Sequence, residues 1–527
     1  MKFIPLLMIC LCLSCAQNPN DFPEMSTGQT ANSHVSPYTG PFLFGSNMGW
    51  INNWRDEDFA DFLIGNPSRG WEGVGVNSLR PALYHNFVEY WGYDIRVDAF
   101  RHYHNLGAKN NVVFISDRPS DQYREKKQYV PGTPSESYEN LYEPIWLEKE
   151  NGIAVNENNH YALYIFKLVQ QYKNYVKFWE IKNEPDFTYS PCGYRTSGED
   201  CSWWDNDPSP GDLVNFNAPI QSYIRMLRVS YEVIKHVDPE AYVCVGGIGY
   251  GSFLDAILRN TDNPDNGKVS ERYPHKGGAW FDCLSFHIYP MYYLRSWGNG
   301  GFDHFRHTDA AIASVERQTD EYTEILEKYG YGRQFPAKPM IITETNVPSR
   351  QFGDWIGSIE AQRNYLLKLA VAAQRKGIVG VHVYGPIDDA ERDAANANEF
   401  NFMGFYKPLP ATPTAAPLRM NESGVAWRTA SRMLGGRKYD AAETARLNFP
   451  PTVDGGAFYS TSAQNYVYAL WAKTSRDLNE SASTIYSFPA MMNVVSMRRV
   501  GWDENVTGVS GNTITLGGTP VFITINP

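Results

Sequence analysis

The stretch Lys177-Phe178-Trp179-Glu180-Ile181-Lys182-Asn183-Glu184-Pro185-Asp186 is an apolar run of strand length that closes on acidic and amide side chains. Lys338-Pro339-Met340-Ile341-Ile342-Thr343-Glu344-Thr345-Asn346 has the same form. Six more short β-branched or aromatic runs complete the series: Phe42–Ser46, Gly75–Arg80, Val112–Ser116, Tyr242–Gly246, Cys283–His287 and Ile378–Tyr384. Between them lie stretches such as Ala162–Tyr175, Tyr223–His236, Ala310–Tyr329 and Ile359–Arg375, with apolar positions at three- and four-residue spacing. Strand and helix patterns in alternation make this an α/β chain. Eight such units over about 345 residues predict a (β/α)8 TIM barrel with long loops, where fewer strands would give a doubly wound sheet.

In such a barrel the reactive groups stand at the C-terminal strand ends. Glu184 and Glu344 close the fourth and seventh runs, three strands apart on an eight-strand circle, so they can face each other across the mouth. Two opposed carboxyl groups suit glycosidic bond cleavage, in which one protonates the leaving oxygen and the other attacks or stabilises the oxocarbenium-like centre. Period-two alternation puts Glu180, Lys182 and Glu184 on one face and Asn183 on the other. For Asn183 and Glu184 both to reach a substrate, the strand end must be bulged or twisted.

The Asn183-Glu184-Pro185 and Thr343-Glu344 strand ends resemble those of the clan A retaining glycoside hydrolases, and within that clan the β-xylosidase and α-L-iduronidase family. The order of elements matches over residues 40–527. The resemblance implies that Glu184 is the acid/base, Glu344 the nucleophile and Asn183 a ligand of the sugar hydroxyl beside the reacting carbon. It implies that Arg80 holds the nucleophile ionised, that Tyr289, near His287, bonds it, and that Tyr384 stands where many relatives carry the tryptophan floor of the sugar subsite. Trp203 and Trp204 are expected to wall a subsite by stacking on sugar.

After Pro408 the texture changes to a Pro/Ala/Thr stretch, a helix near Gly424–Leu434, and period-two segments at Ala457–Tyr459, Tyr466–Ala472, Thr484–Ser487, Val494–Val500 and Val521–Ile525. These predict a C-terminal antiparallel β-sandwich that supports the barrel. The expected organisation is a leader at 1–15, a tether at 16–38, the barrel at 39–408 and the sandwich at 409–527. Lys2 followed by an apolar run to Leu13 reads as an export leader. Leu13-Ser14-Cys15 resembles a bacterial lipobox, which implies lipidation of Cys15 and a surface or periplasmic location, with plain secretion as the alternative.

Charged residues make up 20% of the 527-residue chain and hydrophobic residues 43%, which argues against disorder; a net charge of −11 without a basic run argues against nucleic acid as a partner. Aromatics at 14% exceed what cores need and fit a carbohydrate-binding surface. Cys192 and Cys201 share one polar loop and can pair after export, whereas Cys244 and Cys283 lie in apolar runs and read as buried thiols. No cofactor is expected. His102, His104, His304 and His307 share no carboxylate pattern, so no catalytic metal is expected either. Arg295, Arg306, His304, His307 and Arg350 tint the sixth and seventh loops basic, which would favour an anionic, uronate or sulfated, glycan. A surface protein that binds glycan without cleaving it is the alternative function on the same scaffold.

Overall fold

The computed structural model describes residues 37–526 except 50–52, 151, 299, 390–396 and 414–417; the leader, the tether up to 36 and Cys15 lie outside the described residues. Nine short parallel strands form the first part: β1 (Leu43–Asn47), β2 (Ser78–Arg80), β3 (Ala82–Leu83), β4 (Asn111–Ile115), β5 (Val176–Ile181), β6 (Tyr242–Cys244), β7 (Leu284–His287), β8 (Met340–Thr345) and β9 (Gly380–Val383). They make two parallel sheets, one in the order β2-β1-β9-β8-β7 and the other β3-β4-β5-β6. Pro81 separates β2 from β3: it has no N–H to give the ladder, so one extended run contributes to both sheets. Each of the eight expected runs overlaps these strands.

Helices lie between the strands at His160–Tyr172, Ile220–Val237, Thr308–Lys328 and Ile359–Arg375. Each presents an apolar stripe, such as Tyr161, Ile165 and Leu168, to a shared buried core. Asn159 and Ser358 cap two of them by accepting from the N–H groups of Ala162 and Ala361. No helix of the described residues is long and apolar enough to cross a membrane.

The C-terminal region contains a six-stranded antiparallel sheet that includes Val453–Ser460, Asn465–Ala472 and Val521–Asn526. Ser483–Ser487 pairs with Thr513–Gly517 in a separate two-stranded sheet. Three strands went unforeseen: Lys438–Tyr439 is only two residues long, glycine and exposed polar residues dilute the pattern of Val506–Ser510, and the short alternation of Thr513–Gly517, with Ile514 and Leu516 inward, was passed over.

One core runs through both regions: Trp427, Phe458, Trp471 and Phe522 are buried in the same cluster as Phe44 and Leu366. Arg375 binds Asp454 at 2.7 Å and Arg306 binds Asp477 at 2.6 Å across the contact. Deleting residues 409–527 strips these indoles from the core and exposes the helix Ile359–Arg375. The expected result is loss of soluble protein, measured as soluble yield and monodispersity, and a soluble truncated chain with an intact thermal transition would refute it.

Candidate active site

Strand β5 stops at Ile181, and the next residues leave it by an unusual route: Lys182 has φ +67° and Glu184 φ +48°. Left-handed backbone costs a non-glycine residue about 1–2 kcal/mol, so each needs compensation. Asp117 supplies some, its Oδ1 lying 3.1 Å from Lys182 Nζ and accepting from Asn183 N–H at 3.3 Å. Gly246 O accepts from Glu184 N–H at 2.6 Å, and Glu184 O accepts from Asn215 Nδ2 at 3.1 Å. The two turns bring Asn183 and Glu184 into one cluster, so the twist required by alternation is supplied by backbone rather than by a register shift.

On the opposite strand the device is a bulge. Pairing of β8 with β7 and with β9 slips between Ile342 and the residues after it, which re-aims Thr343 and Glu344. Glu344 Oε1 then accepts from Arg80 Nη1 and Oε2 from the Tyr289 hydroxyl, each at 2.7 Å. Thr343 donates to Glu180 Oε1 at 2.7 Å.

Arg80 is the hub. Its fully buried guanidinium donates from Nε to Glu180 Oε2 at 2.7 Å, from Nη2 to Asn183 Oδ1 at 2.6 Å and from Nη1 to Asn47 Oδ1 at 2.8 Å, in addition to Glu344. Phe114 underlies it at 4.4 Å. Proline at 81 biases Arg80 to extended backbone, which fixes the root of this fork.

His287 Nδ1 lies 2.8 Å from Glu184 Oε1 and 3.8 Å from Glu344 Oε2, between the two carboxyl groups. Gly247 makes room for the ring: a Cβ there would stand 2.2 Å from His287 Nε2. Burial opposes a charge on His287, but the negative Glu344 and the Glu184 contact outweigh it and raise its pKa above the usual value. Burial likewise opposes ionisation of Glu344, yet the charges of His287 and Arg80 and the Tyr289 hydrogen bond hold its carboxyl below the usual range.

These two shifts have opposite signs. The lowered Glu344 contributes stability above its unfolded pKa, lost as pH falls through the folded value. The raised His287 contributes stability below its unfolded pKa, lost as pH rises through the folded one. The Tm advantage of the native chain over His287→Gln is therefore expected to peak in the weakly acidic range and shrink toward alkaline pH. Calorimetric scans of both proteins from about pH 5 to 9 test this, and a difference that does not vary with pH would count against it.

Of the other expected residues, Tyr384 is half-buried beside the cluster, its ring edge-on to Tyr289 at 5.9 Å and to Phe400 at 5.6 Å. The pairing Cys192–Cys201 forms a disulfide, and Cys244 and Cys283 are buried free thiols. Trp203 is corrected: it is 1% exposed, packed against Tyr250, Phe253 and Gly193, and an indole without a free face cannot stack on sugar. Trp204 is half-buried against the same core, and its carbonyl accepts from Arg259.

Of the basic residues in the sixth and seventh loops, two are engaged elsewhere. Arg306 is committed to Asp477, and His307 caps the helix Thr308–Lys328 and contacts Thr474 at 3.2 Å. Arg350 lies over Phe352 and Phe402. Arg295 lies exposed on the hairpin Arg295–Gly298 and Gly301–His304, over Phe302 at 4.6 Å and Trp355 at 5.2 Å.

Glu184, His287 and Glu344 offer three ligand atoms within 4.8 Å of one another, the spacing of a cation site. The donor set fits one poorly, because both Glu344 oxygens are engaged and the Arg80 guanidinium already supplies the positive charge there. Sequence reading missed Glu180 and Asn47 as partners of Arg80. It also missed the buried Asp186, which accepts from the N–H groups of Gly249 and Tyr250 and whose carboxyl burial pushes up to about 7.

No family model matches the sequence, and no curated protein matches it. The fold is similar to solved structures. A glucosidase from Croceicoccus marinus superposes with TM-score 0.50 at 12% identity over 94% of this chain and 97% of that one. The catalytic domain of GH30 xylanase C from Talaromyces cellulolyticus gives 0.48 at 12% identity over 94% and 99%. A family 51 alpha-L-arabinofuranosidase from Bifidobacterium longum gives 0.49 at 11% identity over 92% and 95%. At 12% identity the likeness to the glucosidase is one of fold.

Proposed function

We propose that this chain is a retaining glycoside hydrolase of the clan A type, in which the two parallel sheets are arcs of one (β/α)8 barrel and Glu344 and Glu184 act as nucleophile and acid/base. The observation that carries the reading is the pairing itself. Glu344 is ionised, held on both oxygens by Arg80 and Tyr289, and within 4.8 Å of a Glu184 oxygen that contacts His287. A close pair of carboxyl groups suits double displacement, for which the separation is about 5–5.5 Å, rather than inversion at about 6.5–9.5 Å with a water between.

In the first step a Glu344 oxygen attacks the anomeric carbon as the glycosidic C–O bond breaks, and Glu184 gives its proton to the leaving oxygen. Water then attacks the same carbon, Glu184 takes the water's proton, and the bond to Glu344 breaks. Net configuration is retained. Arg80 occupies Asn183 Oδ1, which leaves the amide Nδ2 to donate to the sugar hydroxyl beside the reacting carbon. The resemblance of the strand ends supports β-type bonds in oligo- or polysaccharides as the substrate, and the leader-like sequence before Cys15 supports work outside the cytoplasm.

Hydrolysis of a panel of neutral, uronate-bearing and sulfated glycans, with products resolved by size and anomeric form, tests the reading. Cleavage with retained configuration is expected. Binding without cleavage by the folded protein would instead favour the glycan-binding alternative.

A further inference from the structure

Beside the carboxyl pair lies a second concavity of about 920 Å³, lined by Met48, Tyr84, Phe87, Trp91, Phe114 and Arg118 among others. It stands at the C-terminal ends of β1, β3 and β4, on the same side as Glu184 and Glu344. Contacts lead into it stepwise from the centre: Arg80 lies 4.4 Å above the Phe114 ring, Phe114 is 5.6 Å from the Tyr84 ring, and Arg118 lies 5.0 Å above Tyr84. The floor is therefore continuous with the reacting position.

The charges of this pocket are unequal. Arg96 is held by Asp56 at 2.5 Å and by Ala82 O, and the Asp117 carboxylate is engaged by Lys182. Arg118 is exposed and has no carboxylate partner among the described residues; its guanidinium rests on Tyr84. It is also held in place. Its φ is +51°, a costly conformation for a residue preceding proline, and its carbonyl accepts from Asn86 N–H in the helix His85–Trp91. That same helix presents Trp91, 60% exposed, at the rim. On a protein of net charge −11, an unpaired and positioned cation beside flat aromatic faces is complementary to a planar anion carried on a ring.

We propose that this pocket is a subsite for a uronate residue next to the sugar undergoing cleavage, with Arg118 binding its carboxylate and the rings of Trp91 and Tyr84 taking the sugar face. The inference rests on the glycosidase reading for its ligand class. It differs from the basic sixth and seventh loops, since Arg306 is committed to Asp477 and neither Arg295 nor Arg350 lines this pocket.

The test compares the native chain with Arg118→Gln on paired oligosaccharides: one bearing uronate, the same one with its carboxyls reduced to alcohols, and a sulfated neutral counterpart. The readout is the ratio of kcat/KM for uronate to kcat/KM for the reduced partner. Native protein is expected to prefer uronate, and Arg118→Gln to lower that ratio by about tenfold, chiefly through KM. A ratio lowered less than about threefold, or a native preference for the sulfated glycan, overturns the proposal. The same ratio is read as Kd by calorimetry on Glu344→Gln with and without Arg118→Gln. If no glycan is cleaved, the glycosidase reading fails while this binding ratio still decides the subsite.

Discussion

Glu344→Gln is expected to abolish hydrolysis, with kcat more than about 10⁴-fold below the native chain, because an amide neither attacks the anomeric carbon nor balances Arg80. Glu184→Gln is expected to cost about 10²–10⁴-fold, and less on substrates whose leaving group needs no proton, such as an activated phenol. That contrast separates the two roles. Both variants keep the shape of the side chain, so near-native circular dichroism should accompany the loss, with a lower Tm in Glu344→Gln, which takes one carboxylate from the buried Arg80. Equal loss on activated and unactivated leaving groups in Glu184→Gln would remove Glu184 from the acid/base role. A turnover in Glu344→Gln within tenfold of native would remove Glu344 as nucleophile.

Arg80→Met is expected to damage stability as well as turnover. The guanidinium is fully buried between Glu180 and Glu344, and its removal leaves two largely buried carboxylates without the cation between them. Breaking such a buried set costs about 3–5 kcal/mol, readable as a lower denaturation midpoint. Arg80→Met combined with Glu180→Gln should recover part of that stability by deleting one stranded charge, without recovering activity. A single variant as stable as native would mean that Glu180 and Glu344 have other compensation.

The strand ends were legible because they have a simple form: Glu184 and Glu344 are carboxylates closing short runs rich in Phe, Trp, Ile and Met. The need for a twist at Asn183 was also legible, since alternation cannot aim two successive side chains at one point. Its mechanism was not, because left-handed φ at Lys182 and Glu184 is imposed by Asp117 and Gly246, distant in sequence. Glu180 was invisible as a partner of Arg80 for the same reason: an ion pair between residues 80 and 180 leaves no periodic trace. Trp203 and Arg306 misled in a shared way. A residue's type gives its capacity to stack or to bind an anion, but only packing says that Trp203 points inward and that Asp477 has already claimed Arg306.

The two parallel sheets meet at seams with little backbone hydrogen bonding. On one side Pro81 interrupts the ladder, and on the other, among the described residues, the isolated bridges Cys244–Cys283 and Ile248–Phe286 cross. Glu184 belongs to one sheet and Glu344 to the other. What spans the gap is the side-chain set of Arg80 with Glu180 and Asn183, Thr343 with Glu180, and His287 with Glu184. The two glutamates thus belong to the side-chain set that fastens one sheet to the other, so on the proposed function opening of the seams would change the distance between the reacting groups. Amide exchange near the seams should slow when a sugar fills the gap, and random mutants selected for lost turnover should be enriched in chains that open there more often.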